Sequence, residues 1–332
     1  MARFHFRSTI IPLAGALLLG SAGVAAADDE ELARYMDMFE PLPSMPPLPA
    51  DNTMTPEKIE LGKMLFFEPR ISASGTISCA TCHNPALGWA DRIGRSVGHD
   101  GQVGLRNTPT VLNSGFLEAQ FWDGREPDLE GQALGPIEAD DEMAMNLDDA
   151  IEQLNEFEEY NEHFRAAFPD SDGEITGENM AQAMAAFQRT LNTPNSPFDR
   201  FLRGDRQAMS DDQVEGMKLF VDSGCVACHN GPALTDSNFY QFELPGPTDD
   251  GRFVVTGDEA DRNHFRTPTL RNVAVTYPYF HNGSISDLGE AINLMGDQML
   301  GTEFEDDELE KLVAFMHALT GEMPQITPPA LP

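Results

Sequence analysis

Basic side chains are scarce in this chain. Its 332 residues hold 21 Lys and Arg against 55 Asp and Glu, and only four of those cations are lysines. The formal charge of −34 excludes a nucleic-acid binder, because the phosphates would be repelled. It suits attraction of a basic protein partner, and equally the solvation habit of a protein adapted to salt water. Cysteine is limited to four residues and tryptophan to two. Long apolar runs are confined to the first 27 residues, where Arg3 and Arg7 flank the start, Ile10 to about Val24 is apolar, and Ala25-Ala26-Ala27 offers a small-residue cleavage site. Pro12, several glycines and Ser21 break that run, which disfavours a retained anchor. No later stretch is apolar enough to span a bilayer. The mature chain is therefore expected to start near Asp28, to lack a membrane span and, in a Gram-negative source, to be periplasmic.

All four cysteines fall in two copies of one motif, Cys79-Ala-Thr-Cys82-His83 and Cys225-Val-Ala-Cys228-His229. A C-x-x-C-H order reads as covalent attachment of c-type haem. The paired thiols add across the two vinyl groups of one porphyrin, and the adjacent histidine meets the iron. A zinc site would keep its pairs about 15–20 residues apart, whereas 142 residues separate Cys82 from Cys225. Two disulfides would account for the thiols but not for a histidine after each pair. Two covalently attached haems are implied.

The rest reads as mostly α with long loops. Residues 28–51 form an arm or linker, with an acidic start and the proline-rich Pro41-Leu-Pro-Ser-Met-Pro-Pro-Leu-Pro49. Thr55-Pro56 opens a helix whose apolar face includes Leu61, Met64, Leu65 and Phe66. Met180, Met184, Phe187 and Leu191 recur at helical spacing and read as core. Ser210 to Gln213 is a capping-box pattern. A last helix is expected from about Asp306 to Thr320, with Gly321 ending it.

An internal repeat links these parts. Leu61-Gly-Lys-Met-Leu-Phe66 before the first haem motif resembles Glu215-Gly-Met-Lys-Leu-Phe220 before the second. Arg106-Asn-Thr-Pro-Thr110 is echoed by Arg266-Thr-Pro-Thr269, and Phe121-Trp-Asp-Gly124 by Phe280-His-Asn-Gly283. Two cytochrome c-like haem domains follow, over residues 52–193 and 194–320, with a tail at 321–332. Carried past Leu288, the second copy reaches Met295 where the first has Pro136. A methionine there suits the sixth position of the second haem and raises its potential, whereas proline cannot ligate iron. With sixteen methionines in the chain, the repeat alone does not decide that choice.

The run from Leu61 to Glu142, with Cys-Ala-Thr-Cys-His-Asn, Ser-Val-Gly-His99, Arg-Asn-Thr-Pro-Thr and Gln-Phe-Trp-Asp-Gly-Arg, resembles the bacterial di-haem cytochrome c peroxidases. Pro194 to Phe201 and Arg271 to Gly283 extend the resemblance over nearly all of the mature chain. It implies an N-terminal peroxidatic domain, a C-terminal electron-transfer domain, and reduction of hydrogen peroxide to water. The electrons would come from a small donor protein, a cytochrome c or a cupredoxin, and enter at the His229/Met295 haem.

By the same resemblance Glu142 is the catalytic acid–base and Gln132 the distal amide. His99 is a detachable ligand of the first iron, in a loop whose glycines supply backbone freedom. Trp122 lies near the path between haems, and His281 belongs to the same interface. Asn107 and the carbonyls of Thr276 and Pro278 match a calcium site, an oxygen set that suits a hard cation. A homodimer is also implied. Trp89 departs from many members, and either adds an electron path or packs on the haem. Two other readings stand beside the peroxidase. One is a di-haem electron carrier without catalysis. The other is a relative that oxidises protein side chains, which is expected to carry tyrosine where Met295 stands.

Overall fold

The computed structural model describes residues 21–332, with side chains from residue 29 onward. The expected leader over residues 1–27 lies almost wholly outside the described residues. The chain divides between Met38 and Phe39: before the boundary the described residues are 21–38, helical over Ser21–Met36, and Phe39–Pro332 form a compact unit.

Within the second unit, helices are joined by long loops, and among the described residues the only paired strands are the short Phe239–Gln241 and His264–Arg266. Thr55 starts the Pro56–Phe67 helix by accepting the Lys58 N–H at 3.2 Å, with Pro56 at a position where a missing donor costs nothing. Ser210 and Gln213 cap the Asp211–Asp222 helix reciprocally, at 3.3 and 3.0 Å.

The repeat in the sequence is a repeat in packing. The Pro56–Phe67 helix crosses Gly177–Gln188, and the Asp211–Asp222 helix crosses Asp306–Ala318. At the first crossing a Cβ on Gly62 would run into the Ala183 carbonyl, and at the second a Cβ on Gly216 would run into that of Lys311. The glycine shared by the two repeated segments is thus required for close helix approach. Asn113 and Asn272 both adopt left-handed backbone, φ 61° and 63°, and both donate to the same Thr193 hydroxyl at 2.8 Å.

The core lies on these crossings. Met180, Met184, Phe187 and Leu191 are all buried, as their spacing predicts. The C-terminal helix stops at Ala318, short of Thr320. Gly321 does not terminate it in left-handed backbone; a Cβ there would strike the Thr193 carbonyl, and its N–H reaches Asn272 Oδ1 at 3.1 Å.

The segments at either end of this unit are tied down. Phe39 packs edge-on against Phe198, with centroids 5.1 Å apart. The Leu42 N–H donates to Asp199 at 2.8 Å, and Asp199 pairs with Arg271, both fully buried. Met323 and Ile326 pack beside Phe66 and Trp89, and the Pro332 carbonyl accepts from Arg70 at 2.9 Å.

Candidate functional site

Each attachment motif sits at the C-terminal side of its glycine-bearing helix. Cys79–Cys82 forms a single helical turn, held by a 3.0 Å bond from the Ser78 N–H to Thr81 Oγ1. His83 follows at the end of that turn. Its Nδ1 lies 3.3 Å from the Trp89 carbonyl oxygen, and burial lowers the ring's pKa to about 4. The imidazole is therefore neutral, with Nδ1–H donated to a carbonyl and Nε2 free for a metal.

The second motif repeats the device. His229 is buried, its Nδ1 lies 3.2 Å from the Leu234 carbonyl, and burial again pushes its pKa down. Both accepting residues have left-handed backbone, φ 58° at Trp89 and 52° at Leu234, which turns the carbonyl back onto the ring. Trp89 is 1% exposed and its ring lies 5.9 Å from Phe66 and 6.2 Å from Phe187. Its ring is core and its carbonyl orients His83. No disulfide joins any of the four cysteines. Paired thiols beside a neutral, oriented histidine fit c-type haem at both places.

The cavities beside the motifs differ. The first, about 40 Å³, is lined by Cys79, Cys82, His83, Gln132, Glu142 and Gln188 among others. The structure thus brings the expected amide and carboxylate to the first histidine. Burial raises the Glu142 pKa, with Asp141 adding to the effect and Arg125 opposing it. The second cavity, about 250 Å³, is lined by Cys225, Cys228, His229 and Met295, with Trp122, Asn107, Thr276, Pro278 and His281 also on its wall. Met295 ends the Leu288–Met295 helix, where the chain turns into a wider π-type coil. Met299 and Met316 line the same cavity, so position within the repeat, rather than cavity lining, singles out Met295.

His99 lies apart from the first cavity's lining. Its backbone N–H donates to the Glu142 carbonyl at 2.8 Å, its Nε2 lies 3.3 Å from Asp100, and its buried Nδ1 has no partner. The loop's glycines do different jobs. Gly101 uses left-handed backbone, φ 75°, whereas a Cβ on Gly98 would collide with the backbone of Asp141 and Glu142. Gly98 serves close approach rather than freedom.

Between the motifs, the Trp122 indole donates to the Asn107 carbonyl at 2.9 Å, and the Asn107 N–H donates to the His281 carbonyl at 2.7 Å. His281 stacks on Phe265, with centroids 3.7 Å apart. Asn107 Nδ2 is committed to the Ile93 carbonyl at 2.9 Å, which leaves its Oδ1 for another donor or a cation. The expected calcium set is neutral oxygens on one cavity wall, a fit in donor type. Among the described residues no group of three or more His, Cys, Asp or Glu could hold a metal.

Comparison with known proteins supplies the family. The profile described as di-haem cytochrome c peroxidase matches residues 56–207, and that described as cytochrome c matches residues 213–320. The cytochrome c551 peroxidase of Nitrosomonas europaea is 44% identical over 98% of this chain and 94% of its own. The chain belongs to the di-haem cytochrome c peroxidase family. A second family member, the cytochrome c551 peroxidase of Pseudomonas aeruginosa, is 43% identical over 98% of this chain and 96% of its own. A solved MauG-like protein associated with microbial copper homeostasis superposes with a TM-score of 0.78 at 28% identity, covering 86% of this chain and 95% of that one. The family carries two c-type haems, in line with the two attachment motifs.

Sequence reasoning missed Gln188, the carbonyls of Trp89 and Leu234, and Arg266 as a cavity-lining cation. The pairing of Arg266 with Arg106 in the repeat was the available signal for the last.

Proposed function

We propose that the protein reduces hydrogen peroxide to water with electrons from a small donor protein, a cytochrome c or a cupredoxin. Electrons enter at the His229/Met295 haem, and peroxide is cleaved at the His83 haem. The observation that carries this reading is the division of labour between the cavities. A base and an amide share the wall with His83, and a methionine shares the wall with His229. A carrier without catalysis has no need of the first pair. Methionine rather than tyrosine at 295 speaks against the protein-oxidising reading.

When bound, the haems supply the redox iron on which peroxide is reduced. The chain's own residues handle protons and access. Glu142, half-buried and with its pKa raised by that burial, takes the proton from one peroxide oxygen and returns it to the other, for which a base poised near the working pH is best. Gln132 donates its amide N–H to the substrate and fixes its orientation. With haem bound, His99 would be the residue that closes the first iron in the oxidised protein and withdraws on reduction. Its ring does not line that cavity here, and glycine-bearing loops of this kind suit gating motions. Trp122 holds the backbone of Asn107 between the two centres. Calcium on Asn107, Thr276 and Pro278 braces the same region and biases the loop. The reading places the mature protein in the periplasm as a homodimer, with domains at 52–193 and 194–320.

Steady-state peroxide consumption with a reduced cytochrome c tests the role of the base. Glu142→Gln keeps the shape and removes the proton acceptor, so turnover should fall by about 10²–10⁴-fold with haem content unchanged. Near-parental turnover in that variant moves the role to another group.

A further inference from the structure

Arg106 and Arg266 occupy the same place in the two repeats, but their surroundings differ. Arg106 is neutralised twice, by Asp123 at 2.5 Å and by a forked contact to Asp249 at 2.7 and 2.8 Å. Arg266 is 5% exposed and meets only neutral oxygens. Its Nε donates to the Phe121 carbonyl at 3.1 Å and its Nη1 to the Thr267 carbonyl at 2.9 Å. Nη2 makes no hydrogen bond among the described residues, and no carboxylate offsets the guanidinium's charge. Burial without a counter-charge pulls its pKa down to about 10.

A guanidinium on a cavity wall favours an anion or further acceptors: two carbonyls serve only two of its five donors, and Nη2 is not among the sealed unpartnered groups. The residue lines the cavity that also holds Cys225, Cys228 and His229. A porphyrin tethered there through its vinyl edge carries two carboxylates on the opposite edge. Those are the anions that attachment itself brings to the cavity. We infer that Arg266 is the counter-charge to a carboxylate of the second haem, donating through Nη2, and that it helps set that haem's reduction potential. The first cavity offers its haem no such cation. Its lining includes no lysine or arginine; besides the cysteines and His83 its polar side chains are Ser78, Gln132, Glu142 and Gln188.

The electrostatic consequence has a definite sign. Oxidation of the iron adds positive charge to the centre, and a fixed cation nearby in a low-dielectric cavity disfavours that state. Arg266 therefore raises the second haem's potential, in the same direction as methionine ligation. The asymmetry needed for electrons to enter at one centre is then built twice, once in the axial ligand and once in the pocket wall. This rests on haem attachment at Cys225 and Cys228, which a pyridine haemochrome assay of the parent protein checks independently.

Spectroelectrochemical titration of the holoprotein tests the inference. Arg266→Gln should shift the second haem's reduction equilibrium at least tenfold toward the oxidised form, about 59 mV for one electron. The first haem's potential and the two-haem stoichiometry should stay as in the parent. Arg266→Lys, which restores a cation, should recover much of the shift. An unchanged potential in a two-haem Arg266→Gln protein overturns the proposal. If that variant does not fold, a crystal structure of the parent holoprotein decides. A guanidinium nitrogen within hydrogen-bond distance of a porphyrin carboxylate supports it, and carboxylates remote from Arg266, or a soluble ion on Nη2, overturn it.

Discussion

At the scale of single residues, the two histidines that follow the cysteine pairs are prepared before any iron arrives. Each gives Nδ1 to a main-chain carbonyl five or six positions ahead, so each offers Nε2. The sixth position is where they part. If Met295 is the ligand, Met295→His should lower the second haem's potential, because imidazole favours ferric iron more than a thioether does. Met299→Leu and Met316→Leu should leave it in place, although both side chains line the same cavity. A redox titration in which one of those two controls, and not Met295→His, moves the potential reassigns the ligand. His99 is the second residue-scale question. His99→Gly should let the fully oxidised protein react with peroxide without prior reduction. Retention of the parent's low-spin spectrum at the first haem would show that His99 is not the cap.

Residues of this kind divide sharply in how far they can be read from sequence. Cysteine, histidine and their spacing were legible because the chemistry demands that order. The carbonyl partners of His83 and His229 were not, since every residue has a carbonyl and only a left-handed turn aims it. For Trp89 the sequence leaves an electron path and packing on the haem both open; its ring lies in the core beside Phe66 and Phe187, and its carbonyl faces His83. Arg266 carried a signal in the repeat, but the missing carboxylate beside it is a three-dimensional fact.

At the scale of elements, two helix crossings carry the two halves, and each closes over a glycine. Replacing Gly62 with alanine places a methyl group against the Ala183 carbonyl, which is main chain and cannot rotate away. Overpacking of this kind costs about 1–3 kcal/mol. Thermal or chemical unfolding of Gly62→Ala should show a loss in that range, and Gly216→Ala a similar one against Lys311. A neutral result at both positions would mean that the crossings are not tight. Helix starts were legible from Thr55 and Ser210, because capping is local chemistry. The end of the last helix was not. Gly321 resembles a C-cap in sequence, but its glycine is required by the Thr193 carbonyl, a contact across more than a hundred residues. The glycines at 94–104 suggest backbone freedom in sequence, yet Gly98 is held against the backbone of Asp141 and Glu142.

For the whole molecule, acidity is both a surface habit and a set of specific anchors. Glu68 is fully buried; burial opposes its ionisation, but bonds from Arg70 and from Tyr160 at 2.6 Å outweigh it, and its pKa lies below the ordinary value of 4.5. At Asp249 burial is likewise outweighed, by Arg106 above all, and its pKa is also lowered. A carboxyl with a lowered folded pKa adds stability above its unfolded pKa, and that stability is lost as pH falls through the folded value. These two carboxyls therefore add a loss of unfolding free energy below about pH 4.5, the ordinary value for Glu68, to the loss that begins near pH 6.5 because His83 and His229 are buried in the neutral form. Glu68→Gln should flatten that acid limb while lowering stability at pH 7. An acid limb identical to the parent's would show that Glu68 does not contribute to it.

The proposed division of labour stands on one claim, that reduction of the second centre makes the first competent toward peroxide. Stopped-flow spectroscopy of the half-reduced holoprotein mixed with hydrogen peroxide measures it directly. Rapid oxidation of the second centre with peroxide consumed is expected, with turnover at one peroxide per two electrons once a reduced cytochrome c is supplied, and a slow reaction or none in the fully oxidised protein. Unchanged spectra with no peroxide consumed in the half-reduced protein would contradict it and leave an electron carrier.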